Sequence, residues 1–468
     1  MLPPRVVLVA CLAATFSFSS AAAQTGLANS PDVDIRVRIL EREAPATVAI
    51  SGVDASLSLT LDGRALPSAA RGQRVSVERG GNGVSITHPG GRSSGSHLEI
   101  RPDAGASAVS AGNVQRTYEG TLSFRVHRGS LSIVNQLPIE PYVASVVAGE
   151  YPFPEMEGAK AQAVLARTYA LRARANPRYN TADYFLVDHT GDQVYHGAGR
   201  ATATSRNATQ QTAGRVLMHQ GEFVRAQYFS SSGGHTADNE TVWAGEPVPY
   251  LRGQPDPYDS HSPHTRWTSQ LENARILQTL SRHYGFGVRN FEFGPRGRDG
   301  RVHTVRLTGA RTRQISANEF RLVVTSAHGW RSMRSTNVTM RRSGNTVHFE
   351  GSGFGHGVGM SQYGAQAQAQ QGRSFEEILT YYFQGTTAVA GYGLPGASNY
   401  VTYETPEAPV YEGVRTRPTP RAQAEREILG RLDGSDEAAN RPRPQDSGSE
   451  AQAPSSRETD RTPRRSAW

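Results

Sequence analysis

"LPIEPYVASVVAGEYPFPEMEGAKAQAVLARTYALRARANP" (residues 137–177) reads as two consecutive helices with a sharp break between them. Pro138 and Pro141 bracket the start of the first, because proline's fixed φ suits a first helical turn, and Pro152 and Pro154 forbid its continuation. Glu150 therefore falls at a helix end or in the adjoining loop. From Glu157 to Arg174 the chain is rich in Ala, Leu and Arg and stops ahead of Asn176-Pro177, which predicts a second helix. At 100° per residue Ala159, Ala163, Val164, Ala166, Ala170 and Leu171 line up as one apolar stripe. Lys160 and Arg167 lie in the middle of it, where a charge must be paired, must open into a polar site or must snorkel past the short alanines. Lys160 is also the one lysine in the chain; every other basic position outside histidine is arginine. A compact ammonium kept there, where it differs most from a guanidinium, directs both cations toward a polar site.

On the N-terminal side, "GTLSFRVHRGSLSIVNQLP" (120–138) predicts two alternating strands around a His127-Arg128-Gly129 turn. Earlier still, "DIRVRIL", "SLSLTLDG" and "QRVSVERG" alternate in the same way between glycine-rich turns. On the C-terminal side, "QYFSSSGGHTADNETVWAGEPVPYLRG" (227–253) suits a loop bordering a cleft. The glycine-dense run Gly351 to Gly359 leads into a helix that begins near Ser361. A further helix follows, with Ser374 as N-cap, Glu377 at the capping-box position and Gly385 closing it. The expected fold class is α+β: β-rich regions with a few helices lining a cleft, and a disordered C-terminal tail.

The organisation that follows is a signal peptide at 1–23, a small β-rich region at 24–110, a larger mixed domain at 111–404 that holds the candidate site, and a charged, Pro- and Arg-rich tail at 405–468. Arg5 precedes an apolar run from Val6 to Phe18, and Ala21-Ala22-Ala23 offers a cleavage site before Gln24, the layout of a secretory signal. The protein is thus expected to be exported, to the periplasm or cell envelope. Cys11 is the single cysteine and lies inside that signal, which excludes disulfides and thiolate metal sites from the mature chain. No later segment reaches the 18 or so apolar residues of a membrane span. The net charge of +8 is compatible with an anionic polymer, whether nucleic acid, membrane surface or cell wall, and does not choose among them.

The chemistry is narrowed by what is missing: a thiol nucleophile, a phosphate-binding Walker loop, a zinc-binding HExxH and the GxSxG elbow of serine hydrolases. His235, His356, Asp188, His189 and Asp192 could converge on a metal, although scattered histidines more often serve as hydrogen-bonded structure. A carboxyl acid remains. Glu150 lies between the apolar "VASVVAG" and "YPFP", surroundings that disfavour its ionised form and raise its pKa as a general acid requires.

Taken together, "VNQLPIEPYVASVVAGEYP", "AKAQAVLARTYAL", "DHTGDQVY", "YFSSSGGHT" with "VWAGEPVPYL", and "GFGHGVGMSQYGA" with "SFEEILTYYFQGT" resemble, in order, the SpoIID/LytB family, named for stage II sporulation protein D. The likeness spans roughly residues 115 to 390. It implies a lytic transglycosylase that cleaves peptidoglycan glycan strands, preferring those stripped of stem peptides, with Glu150 as the catalytic acid. It further implies that Lys160, Gln162, Arg167 and Tyr169 from the second helix, Ser231, Ser232, Gly233 and His235 from one loop, and His356, Gly357, Ser361 and Gln362 from the other bind substrate. Some relatives carry a Cys/His-rich stretch that implies zinc; here Val187 and Asp192 stand where those cysteines would fall, so no metal and no cofactor is expected. The expected partners are peptidoglycan glycan strands and a cell-wall amidase, with no nucleic acid. The competing reading is a non-catalytic wall-binding protein, since some members of the family are described as amidase enhancers.

Overall fold

The computed structural model describes residues 33–81, 83–176 and 183–389. The expected signal peptide with Cys11, and the charged tail from 405, lie outside the described residues.

Residues on both sides of position 110 are woven into the same sheets. The strand Asp34–Ile39 has the burial alternation its sequence demands, with Ile35, Val37 and Ile39 inward. It pairs antiparallel with Ser130–Pro138 through six registered residues, from Asp34 opposite Pro138 to Ile39 opposite Ile133, and parallel with Leu186–Val187 on its other edge. Ser130–Pro138 continues to Thr121–His127, which in turn pairs with Leu98–Pro102, and the sheet grows to seven strands. The hairpin joining Thr121–His127 to Ser130–Pro138 turns through Arg128 and Gly129, both at positive φ, the geometry that matches strand twist in a two-residue turn. A six-stranded sheet from residues 47–119 shares one apolar core with the first; Val48, Ile50, Val77 and Ile86 belong to the same buried cluster as Ile35, Leu98, Ile100 and Phe124.

Among the described residues there are eight α-helices, and the mixed, strand-rich content makes the fold α+β as the sequence suggests. The first, α1 (Ile139–Glu150), emerges from the strand Ser130–Pro138 and ends on Glu150; α2 (Met156–Ala175) packs against it. Next comes α3 (Ala203–Gln211), opened by a capping box between Thr202 and Ser205, then the four-residue α4 (Asn239–Val242). The segment Trp267–Gly351 carries α5 (Asn273–Tyr284), α6 (Ala317–His328) and two three-stranded sheets around a core of its own, built from Ile276, Leu280, Phe291, Leu307, Phe320 and Phe349. The chain then returns to the first core with α7 (Gln362–Gln370), N-capped by the Ser361 hydroxyl, and α8 (Phe375–Tyr382), whose Ser374/Glu377 capping box is formed as its sequence predicts. No helix among the described residues is long and apolar enough to cross a membrane.

Candidate functional site

Glu150 is the last residue of α1, a helix whose buried Val143, Ala144, Ser145, Val146 and Val147 anchor it in the core. Its position is disfavoured for a negative charge twice over: it follows the helix's own C-terminal carbonyls, and dense packing surrounds it although part of its surface stays open. Gly149 lets a neighbouring loop come close. A Cβ there would stand 3.0 Å from the Val194 carbonyl oxygen, and that proximity brings the Val194 N–H to 2.8 Å from Glu150 Oε1. The Tyr228 hydroxyl and the Gln362 side chain also hydrogen-bond the carboxyl. These three donors stabilise the ionised form, but burial outweighs them and pushes the Glu150 carboxyl above the ordinary glutamate range.

Two short elements bring Tyr228 and Gln362 together. Tyr228–Phe229 and Met360–Ser361 form a two-residue parallel bridge, Tyr228 opposite Met360 and Phe229 opposite Ser361, and α7 begins at the next residue, Gln362. Behind Tyr228 a chain of neutral groups continues: Gln193 Nε2 donates to the Tyr228 hydroxyl at 3.1 Å, and the Tyr142 hydroxyl donates to Gln193 Oε1 at 3.0 Å. With its oxygen accepting from Gln193, Tyr228 has its own proton to give to Glu150. Asp259, itself buried, clamps the loops beneath: it accepts from Ser231 Oγ at 2.7 Å, from the Gly233 N–H at 2.8 Å and from Ser361 Oγ at 2.8 Å. Asp256 lies beside it, held by the Tyr382 hydroxyl, and burial next to Asp259 pushes its carboxyl up to about 7.

The residues expected to bind substrate sort into different roles. Gln362 reaches Glu150 directly. Tyr169 donates its hydroxyl to Asp192 Oδ1 at 3.0 Å, and Asp192 Oδ2 accepts from the Val187 N–H at 2.8 Å, so Tyr169 steadies the loop that supplies Gln193 and Val194. Lys160 pairs with Glu157 at 2.6 Å, whose other oxygen accepts the Phe375 N–H at the start of α8. Gln162 is fully buried on α2, and neither of its amide atoms has a hydrogen-bond partner among the described residues. His235 bonds the Thr236 carbonyl through Nδ1, and Ser232 Oγ accepts from the Gly234 N–H.

Arg167 requires a correction. Its guanidinium is buried, forks onto Glu140 at 2.9 and 2.6 Å, and spends its remaining donors on the carbonyls of Ala163, Arg215 and Thr209. No donor is left for a saccharide; Arg167 joins the start of α1 to α2 and α3. His356 is corrected likewise. Nε2 donates to the Tyr228 carbonyl at 3.0 Å and Nδ1 accepts from the Val358 N–H at 3.1 Å, so both nitrogens are occupied and burial depresses the imidazole pKa to about 3. It is a neutral strut that fixes the Tyr228 backbone. Gly357 makes room for an arginine, not for a sugar: a Cβ there would stand 2.6 Å from the guanidinium carbon of Arg301, a fully buried residue that reaches from the Trp267–Gly351 segment to the Ser232 carbonyl at 2.8 Å. The hydroxyls of Ser231 and Ser361 are turned inward to Asp259 and shape the loops. Among the described residues no group of three or more His, Cys, Asp or Glu side chains is placed to hold a metal.

Tyr228, Gln193, Val194 and Asp259 stand at the site without being among the residues expected there from sequence. Tyr228 heads the stretch "YFSSSGGHT", with Phe229 and Ser230 between it and that stretch's first candidate, Ser231.

A family profile described as Stage II sporulation protein, SpoIID, matches residues 127–219, which contain α1, α2 and the Gln193–Val194 loop. Stage II sporulation protein D of Bacillus amyloliquefaciens is 33% identical over 281 residues, covering 57% of this chain and 78% of that protein. Its counterpart in Bacillus subtilis (strain 168) is 29% identical over 313 residues, covering 63% and 87%. The amidase enhancer of Bacillus subtilis (strain 168) is 28% identical over 295 residues, 52% of this chain and 39% of that longer protein. The chain belongs to the stage II sporulation protein D family.

Proposed function

We propose that the protein is an exported lytic transglycosylase acting on peptidoglycan glycan strands, with Glu150 as its single acid and base. The observation that carries this reading is a carboxyl at a helix C-terminus, faced among the described residues by neutral donors only and biased by burial toward its protonated form. Protonated Glu150 donates to the glycosidic oxygen between N-acetylmuramic acid and N-acetylglucosamine. As the C1–O bond breaks, positive charge develops at C1 of the muramyl unit and the leaving sugar departs with a new 4-hydroxyl. The carboxylate then takes the proton of the muramyl C6 hydroxyl while O6 closes on C1, forming the 1,6-anhydro ring and regenerating the acid. The nucleophile belongs to the same sugar, so no water is consumed and a second carboxylate is unnecessary. The Val194 N–H, the Tyr228 hydroxyl and Gln362 hold the carboxylate during the interval in which it is charged.

Digestion of denuded strands in ¹⁸O-labelled water tests this reading. Anhydromuramic ends without label are expected; labelled reducing ends would mean hydrolysis instead. The likeness to an amidase enhancer favours a second reading, wall binding in support of an amidase. A protein of that kind retains strands without shortening them.

A further inference from the structure

Beside Glu150 begins a row of aromatic rings that the reaction does not use. Phe153, in the Pro-rich break after α1, packs on Tyr363, the neighbour of Gln362, at 4.9 Å between centroids. Tyr363 meets His264 at 5.8 Å, His264 meets Phe354 at 5.0 Å, and Phe354 stacks on Trp330 at 5.2 Å with an interplanar angle of 17°. The row thus starts at the acid and ends on the Trp267–Gly351 segment. All five residues are half-buried, neither sealed in a core nor standing free. At its far end the exposed Arg331 lays its guanidinium over Trp330 at 4.9 Å, and Arg334 adds a second cation at 5.7 Å.

A pyranose in a β-linked glycan has two faces of axial C–H bonds, which pack on the electron-rich faces of aromatic rings, while its equatorial hydroxyls and amides remain hydrated. A row of rings spaced by about the length of one sugar suits such a chain and suits poorly a nucleic acid, which would need cations throughout the row and not only at one end. Muramyl units add a lactyl carboxylate at every second sugar, and a guanidinium is its natural partner.

We infer that the row Phe153–Tyr363–His264–Phe354–Trp330 is a binding track for an acidic, N-acetylated glycan chain, along which a strand extends from Glu150 toward the Trp267–Gly351 segment, with Arg331 receiving a lactyl carboxylate. The inference rests on the lytic reading for the identity of the chain, but its test is a binding test. Glu150→Gln protein is titrated by calorimetry with long denuded strands, with a fragment of two disaccharides and with a neutral chitin oligomer as long as the long strands. Adding Trp330→Ala is expected to weaken long-strand binding about tenfold and to leave the short fragment unchanged, because the fragment does not reach Trp330. Arg331→Glu, an exposed change that gives up the guanidinium's contact with Trp330, is expected to weaken acidic strands several-fold and the neutral oligomer much less. Long-strand binding equal to that of the parent in both variants would overturn the track. The product assay on unmutated protein is read separately, so an absence of anhydro ends would remove the lytic reading without deciding the binding result.

Discussion

Helix α1 carries a glutamate at each end, and the two are treated in opposite ways. Glu140, in its first turn, meets a buried guanidinium in a two-pronged ion pair and also accepts the Gly214 N–H. Glu150, in its last turn, meets a backbone N–H, a phenol and an amide. The first glutamate has a formal counter-charge and lies in the first turn of the helix, beside its N-terminus. The second has neither. One helix thus holds a structural carboxylate and a carboxyl disposed to keep its proton, and the difference lies in the partners supplied by α2 and by the loops, not in the residue type.

The strongest way to break this contrast is to make the same exchange at both ends. Glu150→Gln is expected to lower the yield of anhydromuramic ends by about 10²–10⁴-fold with an unchanged unfolding temperature, since general acid–base catalysis is worth that much. An equal loss from Glu140→Gln in protein of normal stability would erase the distinction. Next, Arg167→Met leaves Glu140 without its cation and the surrounding carbonyls without donors; a loss of about 3 kcal/mol in chemical denaturation is expected, with turnover per folded molecule retained. Tyr228→Phe sharpens the other side. Removing a donor that stabilises the carboxylate raises the Glu150 pKa further, so turnover is expected to fall about tenfold while its alkaline limb moves to higher pH. The smallest effect is expected at the lone lysine. Lys160→Ala removes an ion pair one turn along α2, and a stability loss of about 0.5 kcal/mol should be seen in thermal unfolding.

Elements set by local chemistry were legible in the sequence. The proline breaks around α1, the Arg128–Gly129 turn and the Ser374/Glu377 capping box each depend on residues within a few positions of one another, and each forms where its residues stand. The apolar stripe of α2 was legible too, as was the cost of burying cations in it; what could not be read was which partner meets that cost. Arg167 finds Glu140, 27 residues earlier in the chain, and Lys160 finds Glu157 on its own helix. The glycine loops misled for a related reason. Gly357 looked like room for a sugar, but the space belongs to Arg301, 56 residues away. Tyr228 lies in a strand of two residues, too short for any periodicity, and acquires its role only through the bridge to Met360–Ser361. Nor does strand alternation reveal that Asp34–Ile39 pairs across almost a hundred residues with Ser130–Pro138, because a period of two fixes which face is buried and not which neighbour is chosen.

The protonation of Glu150 is the centre of the account, and ¹³C NMR can follow its side-chain carboxyl directly, assigned by comparison with Glu150→Gln. The midpoint is predicted to lie above the usual glutamate value of about 4.3, with the alkaline fall in turnover following the same titration. A midpoint at or below that value would show a carboxylate already ionised under working conditions, and would contradict its role as the acid.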